Sequence, residues 1–278
     1  PVRIYGDWSF AVWHPKEQRL FLARDHCGYT ALYYYADAHI FAFASSLEAL
    51  LALELAPIEM DELYLAQVLV SWPASKGERT LHKPIKRLPQ AHCLTVTPLR
   101  HDVRQFWHLD KTVELRLPRR EDYVDTFREV FDEAVRCRLR SYGDIAVSLS
   151  GGLDSGSVIT TAARFMSGKS ERLIAFTSVP LPDPNKYVDD KHFGSEFPLA
   201  KATALQAGNV ELYPITAEAT SPIQAIRKKL LIQKYPSHSA GNAFWGLELL
   251  HKAGSHGCRV LLTGQKGNGG ISWKGNIF

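Results

Sequence analysis

The residues best suited to chemistry form one short run, Ser148-Leu149-Ser150-Gly151-Gly152-Leu153-Asp154-Ser155. Gly151 and Gly152 allow backbone N–H groups to approach an anion closely, and Ser150 and Ser155 bring hydroxyl donors. Ahead of the run, Ile145, Ala146, Val147 and Leu149 read as a short buried strand. Behind it, Val158, Ile159, Ala162, Ala163 and Phe165 recur at helical spacing. A strand, a turn of small residues and a helix start make an anion cradle, because the first N–H groups of a helix are unpaired and carry its positive end. Asp154 would repel phosphate unless a divalent cation stood between them, so the pattern predicts a nucleotide with Mg2+. A plain strand-to-helix turn, with Asp154 or Ser155 as helix cap, is the competing reading.

The run lacks the lysine of a Walker A loop, GxxxxGK[ST]. It resembles instead the SGGxDS loop of the pyrophosphatase-type ATP-binding enzymes, in which the loop holds the β,γ-pyrophosphate. A second strand-and-glycine unit lies near the end, Leu261-Leu262-Thr263-Gly264-Gln265-Lys266-Gly267-Asn268-Gly269-Gly270. Its glycines suit close backbone contact with a flat base or a phosphate; alone it is a weak signal.

The elements that must position these loops follow from periodicity. Residues 122–139 form an amphipathic helix with Tyr123, Phe127, Val130, Phe131, Ala134 and Val135 on one side. After the first loop and its helix come a strand at 173–179, a polar stretch at 180–194 read as mobile, a helix at 196–207 and a strand at 210–215. Helices at 221–233 and 243–252 and a strand at 259–263 complete the alternation, which predicts a doubly wound parallel sheet. Ser150, Val179 and Gly264 would emerge at the strands' carboxyl ends, where ligands sit in such sheets. The earlier part reads differently. Runs around Trp8–Trp13, at 19–24, 32–35 and 40–45 predict an antiparallel meander. Helices follow at 47–53 and 60–70, connecting structure at 80–92, and a strand at 93–96. The expected domains are 1–110 and 111–278.

Composition excludes some partners. The chain has 278 residues, a formal net charge of +4 and an ordinary apolar share of 45%. The charge gives no footing for a nucleic-acid partner. The apolar region 40–60 is interrupted by Glu48, Glu54 and Glu59 and cannot span a bilayer. Cys27, Cys93, Cys137 and Cys258 are far apart without CxxC spacing, which favours reduced thiols in a cytoplasmic protein over metal ligation.

The segments Gly6-Asp7-Trp8-Ser9-Phe10-Ala11-Val12-Trp13, Leu20 to Gly28 with Arg24-Asp25-His26, Leu32-Tyr33-Tyr34, Phe43 to Leu50 and Ile85-Lys86-Arg87-Leu88-Pro89 resemble the later half of the glutaminase domain of glutamine-dependent asparagine synthetases. Together with the SGGxDS run, the chain resembles that superfamily throughout. The resemblance implies a partial Ntn-type glutaminase-like α+β domain followed by a doubly wound ATP-pyrophosphatase domain, adenine nucleotide alpha hydrolase-like, with both ends of the family's length missing. The family's N-terminal nucleophilic cysteine would lie outside the chain, and Cys27 sits in the wrong motif to replace it. Arg24 and Asp25 read as a structural ion pair beside a turn.

By the same resemblance, Ser150, Gly151, Gly152 and Ser155 cradle pyrophosphate and Asp154 holds Mg2+. Leu149, Val179, Thr263 and Gly264 surround the adenosine of ATP, and Glu196 touches substrate or metal or simply favours a helix start. The family's second loop reads Ser-Gly-Glu-Gly-Ala-Asp. Here Thr263 stands for the serine, Gln265 for the glutamate, Lys266 for a glycine and Asn268 for the aspartate. Gln265 cannot accept a proton, and Asn268 offers Mg2+ an uncharged oxygen. The expected activity is ATP-dependent amide ligation: adenylation of a carboxylate, aspartate by default, with glutamine or ammonia as nitrogen source. Two alternatives stay open: a cyclising synthetase of the β-lactam or lasso-peptide macrolactam type, and a catalytically impaired nucleotide-binding protein. A tRNA-modifying relative is disfavoured by the modest charge. A homodimer is left open.

Overall fold

The computed structural model describes residues 1–278 except 56, 71–76, 111–112, 169, 171, 182–193, 237–239 and 273–278. The polar stretch at 180–194 lies largely outside the described residues. The chain divides into two compact units, Pro1–Glu114 with Ile226–Ala240, and Leu115–Ala225 with Gly241–Phe278.

In the first unit, β1 (Ser9–His14), β2 (Arg19–Arg24), β3 (Tyr33–Ala36) and β4 (Phe41–Ala44) follow the aromatic and β-branched runs. They do not form one meander. β1 and β2 join β6 (His92–Val96) and β7 (His101–Gln105) in an antiparallel sheet ordered β1-β2-β6-β7, whereas β3 pairs with β4 and with β5 (Ile85–Arg87) in a second sheet. The chain leaves the first sheet after β2 because the turn that follows is held by buried charge. Leu22 and Leu94 of the first sheet cluster with Leu32, Tyr34 and Leu88, so the two sheets pack on each other. Tyr33, one residue away and so on the opposite pleat, packs with Ile85 and with Leu47 and Leu50 of α1 (Leu47–Leu51). Helix α2 (Glu62–Val70) begins at Asp61, whose Oδ1 accepts the Tyr64 N–H at 2.9 Å.

Arg24 and Asp25 correct the expectation of an ion pair. Both are buried, Asp25 completely. Arg24 donates to three carbonyls, Thr30 at 2.6 Å, Leu88 at 2.7 Å and Gly28 at 2.6 Å. Asp25 accepts the N–H groups of Cys27, Tyr29 and Thr30 at 3.0–3.1 Å and the Thr30 hydroxyl at 2.9 Å. The Asp25 charge is satisfied by the turn itself and the Arg24 charge by the turn with the Leu88 carbonyl, which is how a buried ion avoids its desolvation cost. Burial alone would raise the Asp25 carboxyl, but its four donors outweigh that and hold it below the usual carboxylate range. Burial, with Arg87 second, lowers the Arg24 guanidinium.

The second unit is a four-stranded parallel sheet. β8 (Ile145–Ser148), β9 (Leu173–Ser178), β10 (Val210–Ile215) and β11 (Val260–Thr263) lie in the order β10-β9-β8-β11. These strands are short apolar runs because both faces are covered. Ile145, Val147, Leu173 and Ala175 face α3 (Arg120–Arg136), α4 (Leu153–Met166) and α5 (Phe197–Ala207) through Val135, Ile159, Ala162, Ala200 and Ala204. Ala146, Ile174 and Phe176 face the other way, against Leu249 and Ala253 of α7 (Ala243–Ser255). Helix α6 (Pro222–Gln233) precedes α7. The apolar side of α3 is covered only toward its end: Val135 is buried, while Phe127 and Val130 are 52% and 65% exposed. At the amino ends of the strands, Asp144 accepts the Arg172 N–H at 2.9 Å and its guanidinium at 2.5 Å. Those bonds hold the Asp144 carboxyl low.

Asp25→Ala is expected to cost about 3 kcal/mol or more, because it strands several buried donors. Since the folded carboxyl is held low, its contribution is fully present above the ordinary carboxylate range and is lost as pH falls through and below it. Urea unfolding from neutral to acid pH checks both: the gap between wild type and variant should narrow in acid.

Candidate functional site

In the order β10-β9-β8-β11 the chain runs outward from β8 in both directions, so the topological switch lies between β8 and β11. The crevice beyond the carboxyl ends of those two strands is where an open α/β sheet binds ligands. Both glycine loops emerge there.

The first loop is shaped by its serines. Ser155, buried, accepts the Ser150 N–H at 3.0 Å, and the two hydroxyl oxygens are 2.9 Å apart. The Gly152 N–H donates to Ser150 Oγ at 3.2 Å. These bonds bend the chain tightly into α4. Gly152 caps that helix with extended backbone and no side-chain cap bond. The N-cap of α4 thus supplies no side-chain acceptor, and the positive end of the helix lies at the loop. Ser155 therefore fixes the loop's shape, with its oxygen engaged within it.

Two elements close on this loop, the start of α5 and the second glycine loop. A methyl group on Gly151 would lie 2.9 Å from Leu199 Cβ and 3.4 Å from Glu196 Cβ, which brings the start of α5 beside the loop. Glu196 is exposed there; it precedes α5 without a side-chain cap bond, and its carbonyl accepts the Ala200 N–H at 3.0 Å. From the other side comes the second loop. A methyl on Gly264 would stand 2.6 Å from Ser155 N and 2.9 Å from Asp154 C. On Gly267 it would overlap Asp154 Cγ and lie 2.5 Å from Asp154 Oδ1. That oxygen is buried and has no hydrogen-bond partner.

The remaining candidates divide. Leu149 is buried in the core, its N–H donating to Phe176 O at 3.0 Å and its carbonyl accepting from Thr177 Oγ1 at 2.9 Å. Thr177, which the sequence reading passed over, ties the loop's root to β9 through that bond. Val179 is half-buried at the end of β9, its N–H donating to Ile215 O at 2.8 Å. Thr263 and Gln265 are exposed. Lys266 takes a left-handed conformation, φ 65°, where a glycine is easier to accommodate. Asn268 Oδ1 already accepts the Ser272 hydroxyl at 2.9 Å.

Among the described residues no group of three or more His, Cys, Asp or Glu is arranged to hold a metal on its own. The donor set fits Mg2+ nonetheless, because Mg2+ is commonly held by one or two carboxylates with substrate phosphates and water. Asp154, with one carboxylate oxygen unpartnered among the described residues beside the start of α4, is the residue that would hold it. No helix among the described residues is long and apolar enough to cross a membrane.

Comparison with known proteins gives the following. A family model described as asparagine synthase matches residues 126–269, and one described as a glutamine amidotransferase domain matches residues 2–107. Asparagine synthetase [glutamine-hydrolyzing] 3 of Bacillus subtilis (strain 168) is 28% identical over 68% of this chain and 31% of its own length. Amidase chyE of Penicillium rubens is 26% identical over 94% of this chain and 39% of its own length. Putative asparagine synthetase [glutamine-hydrolyzing] 2 of Methanocaldococcus jannaschii is 26% identical over 58% of this chain and 31% of its own length. The chain thus spans about a third of the length of these curated relatives.

Gly264→Ala should force the two loops apart. The methyl would meet backbone atoms of α4, which cannot rotate away, so a loss of about 1–3 kcal/mol is expected in denaturant titration.

Proposed function

The chain belongs to the asparagine synthase family, and on that premise we propose that its second unit binds ATP with Mg2+ and activates a carboxylate for amide formation. The observation that carries the reading is the meeting of both glycine loops at Asp154, where an unpartnered carboxylate oxygen stands beside the uncapped start of α4.

In this reading, the Gly151–Gly152 backbone and the first turn of α4 hold the β,γ-pyrophosphate of ATP, within a loop bent by the Ser150–Ser155 bonds. Asp154 would hold Mg2+, which when bound neutralises polyphosphate charge. A substrate carboxylate oxygen forms a bond to the α-phosphorus. The bond from that phosphorus to the bridging oxygen breaks, and pyrophosphate leaves with the electron pair. An amine nitrogen then bonds to the acyl carbon as AMP departs, and the nitrogen's surplus proton is released. Donors fixed before the reaction act where charge builds on the leaving pyrophosphate, and that is where preorganisation accelerates the step. Val179, Thr263 and Gly264 are the groups offered to the adenosine.

Aspartate is the default acceptor and glutamine the default nitrogen source, supported by the glutamine amidotransferase match over residues 2–107. A cytoplasmic enzyme is the natural setting for ATP as substrate. The second loop favours a different outcome at the second step. Gln265 has no basic oxygen, Lys266 puts a cation in a left-handed turn, and the Asn268 carbonyl is engaged by Ser272. These features support a cyclising synthetase acting on an amine within the substrate, or a nucleotide-binding protein with impaired ligation.

ATP–pyrophosphate exchange in the full-length protein tests the reading. Exchange with aspartate supports asparagine formation, and exchange only with a carboxylate carrying its own amine supports the cyclase. ATP binding with no exchange supports the impaired protein. Asp154→Asn is expected to lower exchange by about 100-fold or more.

A further inference from the structure

β9 is apolar until its last two residues, Thr177 and Ser178, and Thr177 is only 2% exposed. Alternation puts it on the pleat of Leu173 and Ala175, which pack with Ile159 and Ala162 of α4. A hydroxyl buried in that layer must find an acceptor. It finds the Leu149 carbonyl at 2.9 Å, at the entry to the first glycine loop. Leu149 lies one residue beyond β8, and its N–H continues the pairing with β9 by donating to Phe176 O at 3.0 Å. The peptide that follows, between Leu149 and Ser150, is held by side chains at both of its polar atoms. Its carbonyl accepts the Thr177 hydroxyl from β9, and its N–H donates to Ser155 Oγ of α4 at 3.0 Å. Ser155 Oγ lies 2.9 Å from Ser150 Oγ, which accepts the Gly152 N–H at 3.2 Å. The bonds thus run from the sheet, through one peptide, to the residue that opens α4.

We propose that Thr177 is a positioning residue for the pyrophosphate loop: its hydroxyl sets the rotation of the Leu149–Ser150 peptide and, through the two serines, the placement of the Gly151–Gly152 backbone and the first turn of α4. This rests on the reading of that loop as the β,γ-pyrophosphate site of ATP. The serine bonds lie within the loop and its helix and would move with them, whereas the Thr177 bond refers them to the sheet. Thr177 touches neither nucleotide nor metal in this scheme; it acts through the peptide. A valine in its place keeps the branched shape and the strand preference and removes only the donor. The freed carbonyl would then turn toward another partner, and the Ser150 N–H on the same rigid plane would leave Ser155. A loop already held in its binding shape loses no affinity to ordering when the ligand arrives.

The test uses the full-length protein, with ATP, pyrophosphate and AMP as probes in the presence of Mg2+, read by titration calorimetry. Thr177→Val should weaken ATP and pyrophosphate binding by about 10-fold, the scale of one buried hydrogen bond. AMP, which lacks the β- and γ-phosphates, should bind as it does to wild type. Thr177→Ser, which keeps the hydroxyl and drops the methyl, should restore pyrophosphate binding. Equal weakening for pyrophosphate and AMP overturns the proposal, and so does a serine variant as weak as the valine one, because loss of packing alone produces either. If wild type binds neither ATP nor pyrophosphate, the nucleotide-site reading falls and the proposal with it. If wild type binds both and Thr177→Val binds them as tightly, the proposal alone falls.

A second measurement needs no ligand. In amide hydrogen exchange read by mass spectrometry, the peptide spanning residues 149–155 should exchange about 10-fold faster in Thr177→Val, while peptides from β10 and β11 keep their rates. Uniform acceleration across the parallel sheet overturns the proposal, as does an unchanged rate in the loop. Should Thr177→Val fail to fold, Thr177→Cys, whose thiol is a weak donor, takes its place in both measurements with the same outcomes.

Discussion

The second unit depends on a contact that leaves no room for carbon. Where β11 ends, Gly264 and Gly267 lie directly on the first turn of α4, against Ser155 N, Asp154 C and the Asp154 side chain. Two loops from strands adjacent at the switch point thereby become one surface. The sheet order places them side by side, but only the absence of side chains lets them touch. The serine bonds of the first loop serve the same end, since Ser155 sits beneath the turn and fixes the backbone that the second loop covers. What results is a helix start without a side-chain cap and, among the described residues, a carboxylate oxygen without a donor. Both are unfavourable in a resting fold, and the proposed polyphosphate with its cation would relieve both.

Much of this frame is legible in the sequence. Strands buried on both faces must be continuous apolar runs, and Ile145–Val147, Leu173–Phe176 and Val260–Leu262 declare themselves that way. The strand–glycine–helix run at 148–155 identifies the loop because few other functions need those residue types in that order. The losses are equally physical. β5 carries Lys86 and Arg87 and is three residues long, and β7 reads His-Asp-Val-Arg-Gln at a sheet edge. Neither has a composition that separates it from loop. The meander failed because sequential strands usually pair, whereas here β2 hands over to a second sheet.

The misreading of Arg24 and Asp25 has a more general cause. Adjacent opposite charges suggest each other as partners, and their true partners are backbone groups whose hydrogen bonding leaves no trace in residue type. Three carbonyls surround the guanidinium, and three N–H groups and a hydroxyl surround the carboxylate. Gly267 was hidden for a related reason. In a run with four glycines, nothing in the sequence separates the two that make close contacts from the others. Glu196 was placed correctly at the start of α5, but its nearness to Gly151 is a tertiary fact.

The Asp144–Arg172 clasp gives this arrangement a longer reach. It fastens the β8–β9 pair at the end of the sheet farthest from the glycine loops, using charge rather than shape. The clasp thus lies at one end of the sheet and the glycine loops at the other, joined by the strands and by helix α4. Amides at 265 and 268 stand at that far end, where a change of side chain does not touch the clasp.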